Sequence, residues 1–195
     1  MKADNYNIST EEGTLTVFPS TAASLAAEGY TGKYDGQSHD GVTSVSVVNA
    51  VEGLDWTYTY STDGETYTDE MPQFKDAGTY TVHVKATNPN YEDLYATVTV
   101  EISPREVTLT SATDSKTYDG TALTDPGYTV IGEVAEGDVL TATVEGFITD
   151  AGEVPNVVTS YKVMRGDVDV TGNYDNITTA DGTLTVTPRC GHRHR

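Results

Sequence analysis

The sequence predicts an all-β protein in which two β-sandwich modules follow one another in an elongated arrangement, preceded by an orphan strand. Three observations support this fold class. Short segments alternate polar and apolar residues, as half-buried strands do. Asp-Gly pairs, which suit tight turns, separate these segments. Short motifs recur, such as KYDG at 33–36 and KTYDG at 116–120.

Eight segments carry the strand pattern. In chain order they are GTLTVF at 13–18, VTSVSVV at 42–48, WTYTY at 56–60, GTYTVHV at 78–84, ATVTVEI at 96–102, EVTLTS at 106–111, VLTATVEG at 139–146 and GTLTVTP at 182–188. The clearest hairpin is YSTDGETYT at 60–68, with its Asp-Gly turn at 63–64. Only residues 22–27 suggest a helix. Strands of this kind over about 85 residues are typical of a sandwich or a small barrel.

Segment endings define the repeat. Stretches that begin with Asn-Tyr end at Pro19, Pro104 and Pro188, at intervals of 85 and 84 residues. A period of this size indicates tandem modules. We therefore expect the terminal strand of a preceding repeat at 1–20, a first module at 21–103, a second at 104–189 and a vector-derived or disordered tail at 190–195. Because residues 5–19 match only the end of a module, we expect the parent protein to continue upstream of Met1.

The motif DAGTYTV at 76–82 indicates which kind of sandwich the first module is. An Asp-Ala-Gly-x-Tyr run entering a strand is typical of the tyrosine corner of immunoglobulin-like domains, in which the Tyr hydroxyl bonds to nearby backbone. Tyr80 is then the corner residue, Asp76 and Gly78 form the turn, and Trp56 is the large core residue. The second module has DAGEVPN at 150–156 without the Tyr, so a related all-β variant stays open there.

Composition narrows the class of partner. The net charge is −19 and both modules are acidic, which disfavours nucleic acid and anionic membranes because both carry phosphate. No apolar run approaches the ~20 residues of a membrane span, and residues 1–10 have no apolar signal-peptide region. The single Cys, Cys190, lies in the tail. We therefore expect neither nucleic-acid binding nor direct membrane insertion.

The two modules resemble a known family of repeats. The segments KYDG, DAGTYTVHVKATNPNYED and ATVTVEI of the first module, with KTYDGTALTDPGY, FITDAG and GNYDNITTADGTLTV of the second, are similar to the YDG and MBG (mostly-β, glycine-rich) repeats of bacterial surface proteins. The resemblance covers nearly all of residues 5–188. It implies a secreted, wall-attached, adhesin-like protein with many tandem β modules and no shared enzymatic activity.

We expect no catalysis and no cofactor. His39 and His83 have no partner implied by their spacing, and paired carboxylates carry little information in a chain with 30 of them. A hydrolase remains the third hypothesis and predicts a cleft with convergent carboxylates.

Carbohydrate binding is the alternative function. Strand alternation over 56–60 places Trp56, Tyr58 and Tyr60 on one face. That face is a candidate glycan platform if it is exposed, because aromatic rings stack on sugars, and it is core if it is buried. Burial is favoured because the two intervening Thr residues then face water.

Two segments contain metal-ligand residue types. DVDVTGNYDNIT at 167–178 begins like a calcium loop, with Asp167 and Asp169 as weak candidate ligands, but Thr178 stands where a bidentate Glu is needed. Cys190, His192 and His194 are zinc-type ligands, although vector or junction sequence explains that tail better.

An internal isopeptide bond would require a Lys, an Asn and a buried acid. Lys116 with Asn173 or Asn176 are the candidates. The competing interpretation is an exposed Lys116 and two turn residues, and we favour it.

These observations predict a non-catalytic tandem fragment of a secreted bacterial surface protein, located at the cell surface or wall and acting as a stalk or adhesive module. Its expected partners are a host glycan or matrix protein and neighbouring repeats of the parent chain. Only residues 103–106 separate the last strand of module one from the first of module two, and Pro104 restricts its own φ and the conformation of Ser103. We therefore expect a rod with a restricted hinge.

Overall fold

Strand pairing divides the chain into two modules. The computed structural model describes residues 9–175 and 177–190. Within these residues, strands of 24–103 pair only with one another, and so do strands of 108–187. No helix in the described part of the chain is long and apolar enough to cross a membrane.

Module one is a sandwich with a four-stranded layer. Its strands are β1 (Ser24–Gly29), β2 (Thr31–Lys33), β3 (His39–Asp40), β4 (Val42–Val48), β5 (Thr57–Ser61), β6 (Gln73–Phe74), β7 (Gly78–Thr87) and β8 (Leu94–Ser103). One layer has the order β2-β8-β7-β5, with β2 parallel to β8; β1 pairs with β4, and β3 with β6. Residues 22–27 suggest a helix in the sequence, but from Ser24 onward they form β1, where exposed and half-buried positions alternate.

Module two repeats this topology. Its strands are β9 (Thr108–Ser111), β10 (Asp114–Thr117), β11 (Tyr128–Ile131), β12 (Val139–Glu145), β13 (Gly152–Arg165), β14 (Val168–Asp169), β15 (Thr178–Ala180) and β16 (Gly182–Thr187), with a 3₁₀ turn at Thr171–Asn173. The order β10-β16-β13-β12 matches β2-β8-β7-β5, and β10 is again parallel to the last strand. A short early strand parallel to the last one, beside an antiparallel pair, is an immunoglobulin-like arrangement, so the predicted fold class is confirmed.

The modules differ where the last strand meets the first. In module two that strand is divided into β15 and β16 and changes layer at Asp181. A Cβ on Gly182 would overlap the carbonyl oxygen of Ala112, so the change of layer requires a glycine there. Module one makes a similar close approach with the glycine on the first strand, because a Cβ on Gly29 would overlap the Thr99 carbonyl.

The predicted orphan strand at 13–18 forms no strand in the structure. Its Leu15 is 99% exposed and its Val17 94%, whereas in β16 the same GTLTV sequence buries Leu184 and Val186 almost completely. The copy in β16 pairs with β10 and β13, whereas the copy at 13–18 has no sheet to join. A segment with strand propensity forms a strand only where neighbouring strands supply hydrogen bonds and packing.

The hydrophobic core runs from one module into the other. A single cluster of buried residues includes Tyr34, Val84 and Ile102 of module one together with Val163 and Tyr174 of module two. The restricted hinge expected from the short linker is therefore a packed joint, and the modules meet end to end.

Candidate functional site: the junction between the modules

The joint is formed by loops that contain the recurring motifs. The lower end of module one, where β2 and β8 end and β7 begins, supplies Tyr-Asp-Gly at 34–36 and Asp-Ala-Gly at 76–78. The upper end of module two supplies the loop before β12, the end of β13 and Asn173-Tyr174. The recurrence of these motifs indicates that they share a role. Their spacing in the sequence does not predict that they contact one another.

Tyr34 is the central residue of the joint. Its side chain is fully buried, and its ring packs edge-to-face on that of Tyr174, with centroids 5.8 Å apart. The Tyr34 amide donates to the Ser103 carbonyl at 2.8 Å, and the Arg105 Nε donates to the Tyr34 carbonyl at 2.6 Å. The Tyr34 backbone is therefore held by strand β8 and by the linker, and its ring is held by module two.

A buried carboxylate organises the surface on which Tyr34 sits. The Asp138 side chain is fully buried; its Oδ1 accepts from Arg165 Nε at 2.5 Å and its Oδ2 from the Tyr174 hydroxyl at 2.7 Å. Arg165 also donates to the Gly36 carbonyl of module one and to the Glu136 carbonyl. A buried charge is stable only when paired and hydrogen-bonded, and Asp138 meets both conditions.

The electrostatics of the joint favour neutral tyrosines. Burial, followed by the hydrogen bond to Asp138, raises the pKa of Tyr174 far above its usual value. Burial, followed by the charge of Asp138, also raises the pKa of Tyr34. The hydrogen bond to Asp138 raises the pKa of Arg165, which stays charged.

Asn173 connects the modules through both ends of its amide. Its Nδ2 donates to Asp76 Oδ1 at 2.9 Å, and its Oδ1 accepts from the Ala77 amide at 2.7 Å. Its backbone carbonyl accepts from the Arg105 amide at 3.0 Å. The Asn173 side chain thus fixes the Asp-Ala-Gly turn of module one, and its backbone carbonyl fixes the entry of the linker.

The tyrosine corner is present in module one. The Tyr80 hydroxyl donates to the Asp76 carbonyl at 2.9 Å, and the Tyr80 ring stacks on Phe74 at 4.4 Å. A Cβ on Gly78 would lie 3.1 Å from the Tyr80 hydroxyl, so a side chain there would crowd the corner. Asp76 therefore has two partners: its carbonyl binds Tyr80 and its carboxylate binds Asn173.

The three aromatic residues of 56–60 do not form one exposed face. Tyr58 and Tyr60 lie opposite Ala86 and Val84, which are fully buried, so these two rings face the core. Trp56 precedes β5 and is half-buried at the far end of module one, where its ring contacts Tyr91 at 5.2 Å. The exposed face that a glycan platform requires is therefore not formed, and Trp56 is half-buried rather than the large core residue.

The candidate calcium loop is occupied by internal bonds. Asp169 Oδ1 accepts from the amide and hydroxyl of Thr171, at 3.0 and 2.7 Å, and these bonds lower the pKa of Asp169. Asp167 is exposed beside it. No group of three or more His, Cys, Asp or Glu residues in the described ranges could hold a metal ion. His192 and His194 lie outside those ranges, and Cys190 is exposed.

The candidate isopeptide partners are separated. Lys116 Nζ donates to Asp119 Oδ1 at 2.9 Å and to the Thr121 hydroxyl at 2.7 Å, at the lower end of module two. Asn173 lies at the upper end and binds Asp76. The Lys116–Asn173 pairing is therefore wrong, and Asn176 lies outside the described residues.

Among the residues that sequence reasoning left without a partner is His39. Its Nε2 lies 3.0 Å from Asp35 Oδ1, and its ring stacks on Tyr30 with centroids 4.1 Å apart. These contacts brace the Tyr-Asp-Gly turn that Tyr34 begins. A His four residues after the Asp was the only available signal.

No protein-family model matches the chain, and no curated protein does. Among solved structures it is similar to Drosophila N-cadherin EC1-3, at 10% identity and a TM-score of 0.28, over 83% of this chain and 64% of that one. It is also similar to a structure that describes the structural basis for Dscam isoform specificity, at 7% identity and a TM-score of 0.27, over 83% of this chain and 44% of that one. A third similar structure contains the N-terminal four Ig domains of Dscam1 isoform 6.9, at 10% identity and a TM-score of 0.27, over 91% of this chain and 49% of that one. The chain thus spans less than two thirds of these relatives, and likenesses of this degree carry no argument about function.

Proposed function

We propose that this chain is a non-catalytic stalk segment of a secreted bacterial surface protein, in which joined β-sandwich modules hold an adhesive end away from the cell. The observation that carries the proposal is the continuous core at the joint, where Tyr34 packs on Tyr174 and Asn173 binds Asp76. A stalk requires that one module fix the direction of the next.

The dimensions and charge support the same role. Strands β7 and β8 have ten residues each, and at ~3.4 Å per residue module one is roughly 34 Å long. A net charge of −19 repels neighbouring rods and keeps them soluble. The resemblance to YDG and MBG repeats supports a location at the cell surface, which is part of the proposal. A host glycan or matrix protein as partner is also part of it.

Small-angle scattering of the monomeric chain tests the proposal. We expect a maximum dimension near twice that of one module and a narrow distribution of inter-module orientations in residual dipolar couplings. Asn173→Ala should widen that distribution while each module stays folded, whereas Tyr118→Ala, at the opposite end of module two, should leave it unchanged. A compact, nearly spherical profile, or a wild-type distribution as wide as that of Asn173→Ala, would overturn the stalk.

A further inference from the structure

The chain enters module one as it enters module two. The Ser20 amide donates to the Asn90 carbonyl at 2.9 Å, and the Arg105 amide donates to the Asn173 carbonyl at 3.0 Å. Each contact is a parallel bridge to the Tyr that follows the Asn. The segment before Ser20 therefore approaches the upper end of module one in the way that the linker approaches module two.

The tyrosines of the two Asn-Tyr pairs are held alike. The Val51 amide donates to the Tyr91 hydroxyl at 3.0 Å, and the Ala135 amide donates to the Tyr174 hydroxyl at 2.9 Å. Both donors lie in the loop before the strand that follows, β5 or β12. The upper end of module one is thus a second copy of the surface on which Tyr34 sits.

This second copy differs in its side chains, with Val51 and Trp56 where module two has Ala135 and Asp138, and in being uncovered. Trp56, directly before β5, contacts Tyr91, whereas Asp138, directly before β12, binds Tyr174. Asn90 and Val51 are exposed, while Asn173 is buried under module one. We call Val51, Trp56, Asn90 and Tyr91 the free socket.

The segment above the free socket has the sequence of a module's last strand. GTLTVFP at 13–19 repeats GTLTVTP at 182–188 with one difference. Leu15 and Val17 are exposed where Leu184 and Val186 are buried. The segment ends at a Pro directly before Ser20, as β8 ends directly before Pro104.

We propose that the free socket binds the lower end of a like module whose last strand is formed by residues 13–17. The Tyr of that module's Tyr-Asp-Gly turn packs against Trp56, and its Asp-Ala-Gly turn binds the Asn90 amide. The proposal rests on the proposed stalk function and adds the binding surface and its partner. The partner is tethered rather than a second copy in solution, because acidic modules repel one another and a short tether supplies a millimolar effective concentration.

Trp56 makes the test direct, because it is the only Trp of the chain and residues 105–181 contain none. A copy of residues 105–181 is inserted into the full chain between Glu12 and Gly13. Residues 13–17 then follow the copy in the same way that residues 182–186 follow Asp181 in module two. We expect Trp56 emission to shift to the blue and its acrylamide quenching constant to fall roughly twofold or more, since rings at the centre of a packed interface are desolvated.

Two controls make every outcome decisive. Hydrogen exchange at Leu15 and Val17 reports whether the added module has formed with residues 13–17 as its strand. In a matched chain, the copy carries Ala in place of its Tyr118, which should return Trp56 quenching to the value of the unextended chain while Leu15 and Val17 stay protected. If Leu15 and Val17 are protected but Trp56 quenching is unchanged, the free socket does not bind the added module. If Leu15 and Val17 are unprotected, residues 13–17 do not form its last strand. Neither result would change the distribution of inter-module orientations at the Tyr34 joint. The stalk proposal is therefore tested separately, by the residual dipolar couplings.

Discussion

Tyr34 and Tyr118 open the same motif in the two modules and have different surroundings. Each donates its amide to the end of the last strand, to Ser103 or Thr187, at 2.8 Å. Tyr34 is fully buried under module two, whereas Tyr118 is 40% exposed. The turn therefore forms with or without a partner module. Docking adds the burial of the ring and hydrogen bonds to the Tyr34 and Gly36 carbonyls.

The turns themselves are closely alike. Asp35 Oδ1 accepts from the Gln37 amide at 2.8 Å, and Asp119 Oδ1 from the Thr121 amide at 2.9 Å. Gly36 and Gly120 have φ of +77° and +83°, which only glycine adopts freely. A preformed turn loses little conformational entropy when it docks, which favours a stiff joint.

The largest expected effect separates these two tyrosines. Tyr34→Ala should lower the free energy of unfolding by about 3–5 kcal/mol, because it removes a fully buried ring from a continuous core. Tyr118→Ala should cost less than about 1 kcal/mol, because that side chain is 40% exposed and no partner module covers it. Urea denaturation measures both, and Tyr34→Phe is the control that keeps the ring. Similar losses for the two Ala variants would show that the joint does not stabilise the chain.

The Asn-Tyr pairs offer the next contrast. Asn173→Ala should cost about 1–3 kcal/mol, because it removes a buried side chain and leaves the Ala77 amide without its partner at a partly buried site. Asn90→Ala, at the exposed copy, should change the urea midpoint little. An equal loss at Asn90 would contradict the view that docking gives this residue its energetic role.

Alkaline pH should weaken the joint. The pKa values of Tyr34 and Tyr174 are raised from 10.0 in the folded chain, so between the unfolded and folded values the unfolded chain binds fewer protons and stability falls as pH rises. Below pH 10 the contribution is complete. Urea midpoints measured across this range should fall above pH 10, and less steeply in Tyr34→Phe, which has one such group fewer. A Tyr34→Phe profile identical to that of the wild type would exclude Tyr34 from the effect.

Local patterns predict strands such as β7, β8 and β12 and several turns because these depend on neighbouring residues, but they miss the longest strand, β13. The hairpin at 60–68 forms with reciprocal bonds between Tyr60 and Thr68, and the Tyr80 corner bond spans four residues. The pattern fails at 13–18, where the propensity is present and the sheet is absent. It also misplaces Trp56, which lies just before β5 and is half-buried against Tyr91.

The joint could not be predicted from spacing because its contacts join distant residues. Asn173 and Asp76 are 97 positions apart, and Arg165 and Gly36 are 129 apart. The sequence shows that three motifs recur, namely Tyr-Asp-Gly, Asp-Ala-Gly and Asn-Tyr. Only the structure shows that the first two, in module one, contact the third, in module two. The buried Asp138 carries no motif at all, because its role comes from the fold around it.

The smallest expected effect concerns the corner that only module one has. At the equivalent position module two has Val154, packed against Leu184 and its aliphatic neighbours, so the fold does not require the corner bond. Tyr80→Phe keeps the ring on Phe74 and removes one hydrogen bond at a partly exposed site. We expect a loss of about 0.5–1 kcal/mol in urea denaturation, with Tyr161→Phe, 40% exposed on β13, as the control for losing a surface hydroxyl. If the two variants have the same midpoint, the bond to the Asp76 carbonyl contributes nothing to stability. Asp76 would then matter only through its carboxylate at the joint, and the difference between the modules would lie in their docking rather than in their internal folding.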